Sequence, residues 1–449
     1  MKVKSQFVCQ QCGAVYTKWV GQCTNCGEWN SLLEQSALSS SEKKTAIERG
    51  KLSGKRIESV KLSTITPLDT KMRLKLQFDD LNEVLGGGIL AGSVSLLTGQ
   101  PGIGKSTLLM QICAEVAKKY DVLYISGEES AGQVKIRAER LGANSDRLNF
   151  AVSTSGNDIA KTISTGEFDL VIVDSIQTLA MDEISSAPGT VSQVTNCGNL
   201  IIRAAKETDT AVVIVGHVTK EGTLAGPKVL EHLVDVVLNF EGDRYGGFKT
   251  VRAIKNRFGS TNEVAIFEME ETGLKEVENP SAELLAERSD ADGSVVLATL
   301  EGNRPLLVEI QALCTRTNFG YPKRTASGFD LNRLNLLLAV LERRTRLKLS
   351  DKDVFINVVG GIRLNDAAAD LAVCMAIASA AAGRKIDDKY VVFGEVGLGG
   401  EIRSAFRASQ RIAEAKKLGF KNAIGPASLK DEFIIPVKDL RETLIRYVK

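Results

Sequence analysis

The residues GQPGIGKST, Gly99 to Thr107, carry the most specific chemistry in the chain. They fit the spacing G-x-x-x-x-G-K-[ST], with Gly99, Gly104, Lys105 and Ser106 at the defining positions. Glycines there let backbone N–H groups turn inward around phosphates, and the helix that follows adds its positive end. Lys105 is expected to reach β- and γ-phosphates, and Ser106 to hold Mg²⁺. Gln100, Pro101, Gly102, Ile103 and Thr107 complete the expected nucleotide-binding stretch. The flanking sequence has the required form: an apolar strand over Val94–Leu97, then a helix with Leu108, Leu109, Ile112, Cys113 and Val116 on its apolar positions.

Three more polar groups end apolar strands of the same kind. Asp174 closes "DLVIVDS" and suits the Mg²⁺ shell. Glu128 and Glu129 follow "VLYIS", and either could polarise an attacking water. His217 and Thr219, in "VIVGHVTKEG", could sense a γ-phosphate, and a satisfied core histidine is an equal alternative.

A second chemistry sits at the N-terminus. Cys9-x2-Cys12 and Cys23-x2-Cys26 form two Cys-x-x-Cys-Gly knuckles. Four thiolates at this spacing close a tetrahedral shell, the geometry of structural Zn²⁺. A redox pair would need only one such motif. The third stretch is "VRAIKNRFGSTNEV", Val251 to Val264. It reads as a strand ending in Lys255, Asn256 and Arg257, then a turn at Phe258-Gly259. No acid lies between the two cations, so they await a negative charge from elsewhere.

Elements must position these residues. The strands "SVSLLTG", "DVLYISG", "FDLVIVDS", "AVVIVGH" and "LVDVVLNF" alternate with helical patterns, which predicts a mostly parallel α/β sheet with helices on both faces. Ligands bind such sheets beyond the carboxyl ends of the strands. After about residue 285 the pattern changes. "LEGNRPLLVEIQALC" predicts a hairpin, and "LNRLNLLLAVLERR" a helix with Leu331, Leu334, Leu337, Leu338 and Leu341 on one face. An apolar helix over 367–382, "YVVFGEVGL" and a last helix near 404–418 complete a second α/β domain. The predicted domains are 1–33, 34–64 as a basic linker, 65–278 and 279–449. Over 42–61 the linker carries seven Lys/Arg against three Glu, which reads as a solvated tether or, alternatively, as a segment with weak attraction for nucleic acid.

The totals exclude little. The chain has 449 residues, long enough for several domains, and a net charge of +2 that can hide local patches. Aromatics are 5% of the chain, so a channel lined with stacking rings is not evident. The start has no apolar signal core, and the longest apolar run, Leu371–Ala382, is too short to span a bilayer. A cytoplasmic protein without membrane contact is expected, in which clustered cysteines bind metal.

The ribbon "CQQCG…CTNCGEW", the stretch "LNEVLGGGILAGSVSLLTGQPGIGKST", and "YISGEES", "VIVDSIQT" and "KNRFG" together resemble the bacterial RadA (Sms) family of RecA-related repair ATPases. The resemblance covers nearly the whole length, and "KNRFG" is its most specific part. It implies a zinc ribbon, a RecA-like P-loop ATPase core and a Lon-protease-like C-terminal domain. It implies ATP/ADP, Mg²⁺ and Zn²⁺ as ligands, single-stranded and branched DNA and a RecA-type recombinase as partners, and a hexameric ring that drives branch migration. The RecA-like pattern places the water-activating acid at Glu128. Carried onto this sequence, Lys255 and Arg257 would touch the γ-phosphate held by a neighbour's Gly99–Ser106 loop, or DNA if the contact shifts during the cycle; the alternative is a salt bridge of Arg257 within its own domain. The channel loops would fall at about 178–199 and 220–228. The first has no Lys or Arg and the second offers Lys220 and Lys228. Arg316, Lys323, Arg324 and Arg333 are further DNA candidates, or else a solvated face.

"IRLNDAAADLAVCMAIASA" is similar to the Lon segment that carries the nucleophile serine, yet it reads Ala367-Ala368-Ala369-Asp370. The segment "RSAFRASQR", where Lon places its lysine, has none. Without either half of the dyad, peptidase chemistry is not expected. The remaining alternative is a KaiC-like signalling or scaffold ring without DNA motor activity, although such chains typically carry two motor halves and no ribbon.

Overall fold

The computed structural model describes residues 5–10, 14–36, 59–64, 72–217, 229–242, 248–288, 290–317 and 320–448. Cys12, Thr219, Lys220, Lys228 and most of the expected linker lie outside them. The chain forms two compact units, Met1–Lys71 and Met72–Lys449.

In the first unit, β1 (Ser5–Cys9) pairs antiparallel with β2 (Val15–Tyr16) and β3 (Leu32–Ser36). Among the described residues, its buried core is Cys9, Cys23 and Leu32, with Phe7, Ala14, Tyr16 and Val20 packed against them. So small a core does not hold a fold by apolar burial alone, which is why metal ligation can act here as folding energy.

The second unit opens with a short hairpin, β4 (Arg73–Leu74) and β5 (Ile89–Leu90), that brackets α1 (Asp79–Val84). A nine-stranded sheet follows, made of β6 (Val94–Gly99), β7 (Val122–Ser126), β8 (Leu148–Val152), β9 (Leu170–Asp174), β10 (Ala211–His217), β11 (Val236–Gly242), β12 (Lys249–Asn256), β13 (Val264–Glu270) and β14 (Gly273–Glu276). Their order is β14-β13-β12-β11-β6-β10-β9-β7-β8. The pairs from β11 to β8 are parallel, and β12–β14 extend the sheet antiparallel. β6, β7 and β9 are buried at every position, as parallel strands covered on both faces must be. Edge strand β8 is only half-buried. The connecting helices are α2 (Lys105–Val116), α3 (Ala131–Arg140), α4 (Gly156–Ile163), α5 (Val191–Thr208) and α6 (Val229–Leu233). Helix α5 corrects one expectation. The first loop, read as 178–199, ends at Thr190, and Val191 onward is helical because Val194, Cys197 and Ile201 form a buried stripe. Buried Gln193 ties the shortened loop down through Met181, Ile184 and Ser186.

Beyond α7 (Pro280–Leu285) lies a seven-stranded mixed sheet. It begins with the predicted hairpin, β15 (Ser294–Glu301) and β16 (Arg304–Arg316), followed by β17 (Arg324–Ser327) and β18 (Lys352–Val358). It continues in β19 (Tyr390–Val392), past the small pair β20 (Glu395–Val396) and β21 (Ile402–Arg403), to β22 (Asn422–Pro426) and β23 (Ile434–Val437). Helix α8 (Leu331–Val340) widens into a π turn at Leu341–Thr345, and Leu331 is exposed rather than on the core face. The apolar helix α9 (Asp370–Ala382) is buried at every position through Ser379. The helix read as 404–418 is α10 (Ala408–Lys417), and a further helix, α11 (Leu440–Tyr447), was not read from the sequence.

The two sheets share contacts. Arg304 ion-pairs with Asp80 and donates to the Val277 and Glu278 carbonyls at 3.0 Å, and Arg252 meets Glu301 at 2.8 Å. Val264, Ile266 and Val277 join the C-terminal core, so apolar packing is continuous across the junction. Among the described residues, no helix is long and apolar enough to cross a membrane.

Candidate functional site: a phosphate loop and an opposed cation turn

The loop after β6 is held open by glycine. Gly99, Gly102 and Gly104 have φ of 158°, 79° and 118°. A Cβ on Gly99 would meet the Phe240 carbonyl oxygen at 2.6 Å, and Gly104 begins α2 in the left-handed region. The Lys105 ammonium folds back and donates to the carbonyls of Gly99 (2.8 Å) and Gln100 (3.0 Å). Burial lowers Lys105 to about 8, against the opposing pull of Asp174 and Glu128.

Ser106 Oγ donates to Asp174 Oδ2 at 2.8 Å, and the Tyr124 hydroxyl donates to the same oxygen at 2.6 Å. Ser106 and Asp174 therefore meet at one point beside the loop, an oxygen pair that fits Mg²⁺. The bound ion would neutralise charge on phosphate oxygens. Tyr124 was missed in the sequence reading. Its one signal is a phenol in a strand otherwise made of apolar and small residues.

The structure separates the two glutamates. Glu129 is engaged by Arg137, with Nη1 on Oε2 at 2.7 Å and Nη2 on Oε1. It is neither a solvated acid nor a base poised over the loop. Glu128 Oε1 accepts from the Ser175 hydroxyl and lies 3.3 Å from His217 Nε2. His217 Nδ1 is buried with no partner. Glu128, Ser175, Asp174 and His217 thus gather at the carboxyl ends of β7, β9 and β10, where an acid can orient water toward a bound phosphate.

The cation turn is built differently. Lys255 Nζ donates to the carbonyls of Glu231 (2.9 Å), His232 (3.1 Å) and Val234 (2.7 Å), at the end of α6. Burial, and then Arg257, lower its pKa. Asn256 Nδ2 reaches the Val84 carbonyl at 3.0 Å, and its Oδ1 accepts the Phe258 N–H at 2.8 Å. Gly86 lies under the turn so closely that a Cβ there would meet the Phe258 oxygen at 2.6 Å. The acid absent from the local sequence arrives from the bend between α6 and β11: Arg257 Nη1 is 3.3 Å from Asp235 Oδ1.

Strand register places this turn. Asn256 pairs with Val236 and Val236 with Ser95, whereas the phosphate loop starts at Gly99, which pairs with Phe240. The turn is therefore at the opposite ends of the strands, four residues or about 13 Å away along the strand direction and two strands over from β6.

Three thiols of the ribbon, Cys9, Cys23 and Cys26, lie within 4.8 Å of one another, with Cys9 and Cys26 sulfurs 3.6 Å apart. Tyr16 donates or accepts at Cys23 Sγ (3.2 Å), and this contact lowers the thiol to about 6. Three clustered sulfurs, of which Cys23 is readily ionised, fit a zinc shell.

The C-terminal candidates diverge. Arg316 and Lys323 are exposed. Arg324 donates to its own sheet, to the carbonyls of Lys323, Lys352 and Leu349. Arg333 is committed to Asp370, which is 1% exposed, through Nε on Oδ1 at 2.9 Å and Nη2 on Oδ2. Reading Arg333 as a free surface cation is corrected by that buried partner, 37 residues away in sequence. In the Lon-like segment Ala368 and Ala369 are buried, and Asp366 meets Thr299 and the fully buried Arg411, at 3.0 and 2.6 Å.

Comparison with known proteins matches this layout. A family model described as an AAA domain covers residues 61–223, a rubredoxin metal binding domain covers 7–34, and subunit ChlI of Mg-chelatase covers 336–428. DNA repair protein RadA of Halalkalibacterium halodurans is 48% identical over 438 residues, 97% of this chain and 95% of that protein. The chain belongs to the RadA family. RadA of Bacillus subtilis is 48% identical over 440 residues, with the same coverage, and that of Listeria monocytogenes 46% over 444, covering 98% and 95%. With the family come its three parts, a zinc ribbon, a RecA-like AAA-type ATPase core and a C-terminal Lon- or ChlI-like domain.

Proposed function

We propose that this chain is a DNA-dependent ATPase of DNA repair. It binds single-stranded and branched DNA and promotes branch migration of joints made by a RecA-type recombinase, working as a ring of six copies in the cytoplasm. The relatives' name, DNA repair protein, supports the setting. One observation carries the mechanism: Lys255 and Arg257 lie at the strand ends opposite their own phosphate loop. Arg257 is half-exposed, and this reading assigns the phosphate it meets to a second copy.

In this reading Lys105 and the loop amides grip the phosphates. Ser106 and Asp174 hold Mg²⁺, and Glu128, steadied by Ser175 and His217, orients the attacking water. Lys255 and Arg257 of a neighbouring copy meet charge developing in phosphoryl transfer, an effect worth roughly 10³–10⁵ in rate for arginine fingers. Exposed Arg316 and Lys323, with Lys220 and Lys228 of the second loop, supply the phosphate attraction that makes DNA binding salt-dependent.

The test is steady-state ATPase with and without single-stranded DNA at two salt concentrations. Stimulation that weakens with salt, and is lost in both Lys105→Ala and Lys255→Ala, is expected. Mixing inactive Lys105→Ala and Arg257→Ala chains should restore some turnover, because a mixed ring contains an intact loop facing an intact cation. ATPase indifferent to DNA would favour a KaiC-like scaffold or signalling ring. Mixing that never restores turnover would end the trans reading.

A further inference from the structure

Asp235 stands between α6 and β11, at the same strand ends as the cation turn, and is 3% exposed. Its Oδ2 accepts the Val94 N–H at 3.1 Å, at the start of the strand that leads to the phosphate loop. Its Oδ1 faces two cations at equal distance: Lys206 Nζ and Arg257 Nη1 are each 3.3 Å away. Lys206 comes from the last turn of α5 and Arg257 from the turn after β12, so neither depends on the other for its place. Both side chains are about half-exposed, at 47% and 53%.

The backbone of the turn is fixed, while the guanidinium is half-exposed and held to Asp235 by one contact at 3.3 Å. Arg257 N–H donates to the Asp235 carbonyl at 3.2 Å, and Asn256 anchors the turn to Val84. A buried carboxylate with a single cation holds it hard, because departure leaves a lone charge out of water. Asp235 has a second cation on the same oxygen.

We propose that Asp235 and Lys206 form a charge-compensated berth for Arg257. Lys206 keeps the carboxylate paired when the guanidinium swings out to the phosphates of a nucleotide on a second copy of the chain. This inference rests on the trans reading given above. Asp235 and Lys206 touch no substrate. They are positioning residues that set how readily Arg257 leaves.

The test is kcat and KM for ATP in the full chain with single-stranded DNA. Lys206→Met leaves Arg257 as the cation paired with the Asp235 oxygen, with Lys255 the other cation that feels this carboxylate, and kcat should fall by about tenfold with KM unchanged. Lys206→Arg, which keeps the cation, should restore kcat. Asp235→Asn removes the charge and keeps an acceptor for Val94, and in that background Lys206→Met should have no further effect. A merely structural lysine would lose the same factor in both backgrounds, and that result overturns the berth. So does a wild-type kcat for Lys206→Met while Arg257→Ala is impaired. If Arg257→Ala itself keeps full turnover, the trans reading fails first and the berth falls with it.

Discussion

Helices α2 and α9 are each preceded by small residues, Gly104 and Ala367–Ala369, yet their first turns have opposite fates. At α2 a left-handed glycine precedes Lys105, no acid stands in the first turn, and the loop amides remain available to an anion. At α9 the first turn carries Asp370, buried and held by Arg333 and by the Val396 N–H at 3.1 Å. Burial raises the Asp370 pKa, and Arg333 opposes that rise. Both ends use the positive pole of a helix. One leaves it for a ligand, and the other fills it with an internal carboxylate. A helix N-terminus is thus a phosphate site only when its own sequence supplies no acid.

The largest effect should come from spoiling the open end. Lys105→Ala is expected to lower ATP turnover by about a thousandfold or more, since a cation aimed at phosphoryl oxygens acts where charge develops. ATPase assays check this, and turnover within tenfold of wild type would refute the assignment. Next comes the closed end. Asp370→Ala strands Arg333 beside the core and should cost about 3 kcal/mol in stability. Replacing both partners by apolar residues, Asp370→Leu with Arg333→Met, should recover most of that in a denaturant melt. If the single variant is as stable as wild type, the two termini do not differ in the way described.

The pH response gives a smaller effect with a definite sign. Lys105 in the nucleotide-free protein titrates near 8, below its ordinary value, because burial disfavours the charge. A bound triphosphate favours the cation, so binding takes up a proton above that pH. Apparent Kd for ATP should therefore rise by about tenfold from pH 7 to pH 9. A flat profile would mean that Lys105 stays charged without nucleotide. Smallest is Tyr124→Phe, which removes one hydrogen bond to Asp174. It should shift the Mg²⁺ concentration for half-maximal ATPase by several-fold, matching about 1 kcal/mol.

Much of the site was legible because its chemistry is local. Gly99 to Ser106 are neighbours in sequence, so spacing alone specifies the loop, and Asp174 and Glu128 ended strands that alternate in a readable rhythm. The choice between Glu128 and Glu129 was weaker, since adjacent acids look alike until Arg137 is seen to take one of them. Arg333 misled for the same reason, with its partner on another helix. The first loop was read too long because Ser, Thr and Gly in 189–199 obscured the stripe of Val194 and Cys197 that makes it helical. The last helix, Leu440–Tyr447, is short and charged, and gave little periodicity.

By itself the sequence determined the phosphate-loop spacing, the paired cysteine knuckles and the α/β rhythm, all properties of residues close together in the chain. Only the tertiary structure decided which charges are spent. It brought Asp235 under Arg257, Arg137 onto Glu129, Asp370 onto Arg333 and Tyr124 onto Asp174. It also set the cation turn at the strand ends away from its own loop. The physical reason is that a charge's availability depends on who shares its low-dielectric surroundings, and those neighbours are chosen by strand order and packing, not by sequence distance.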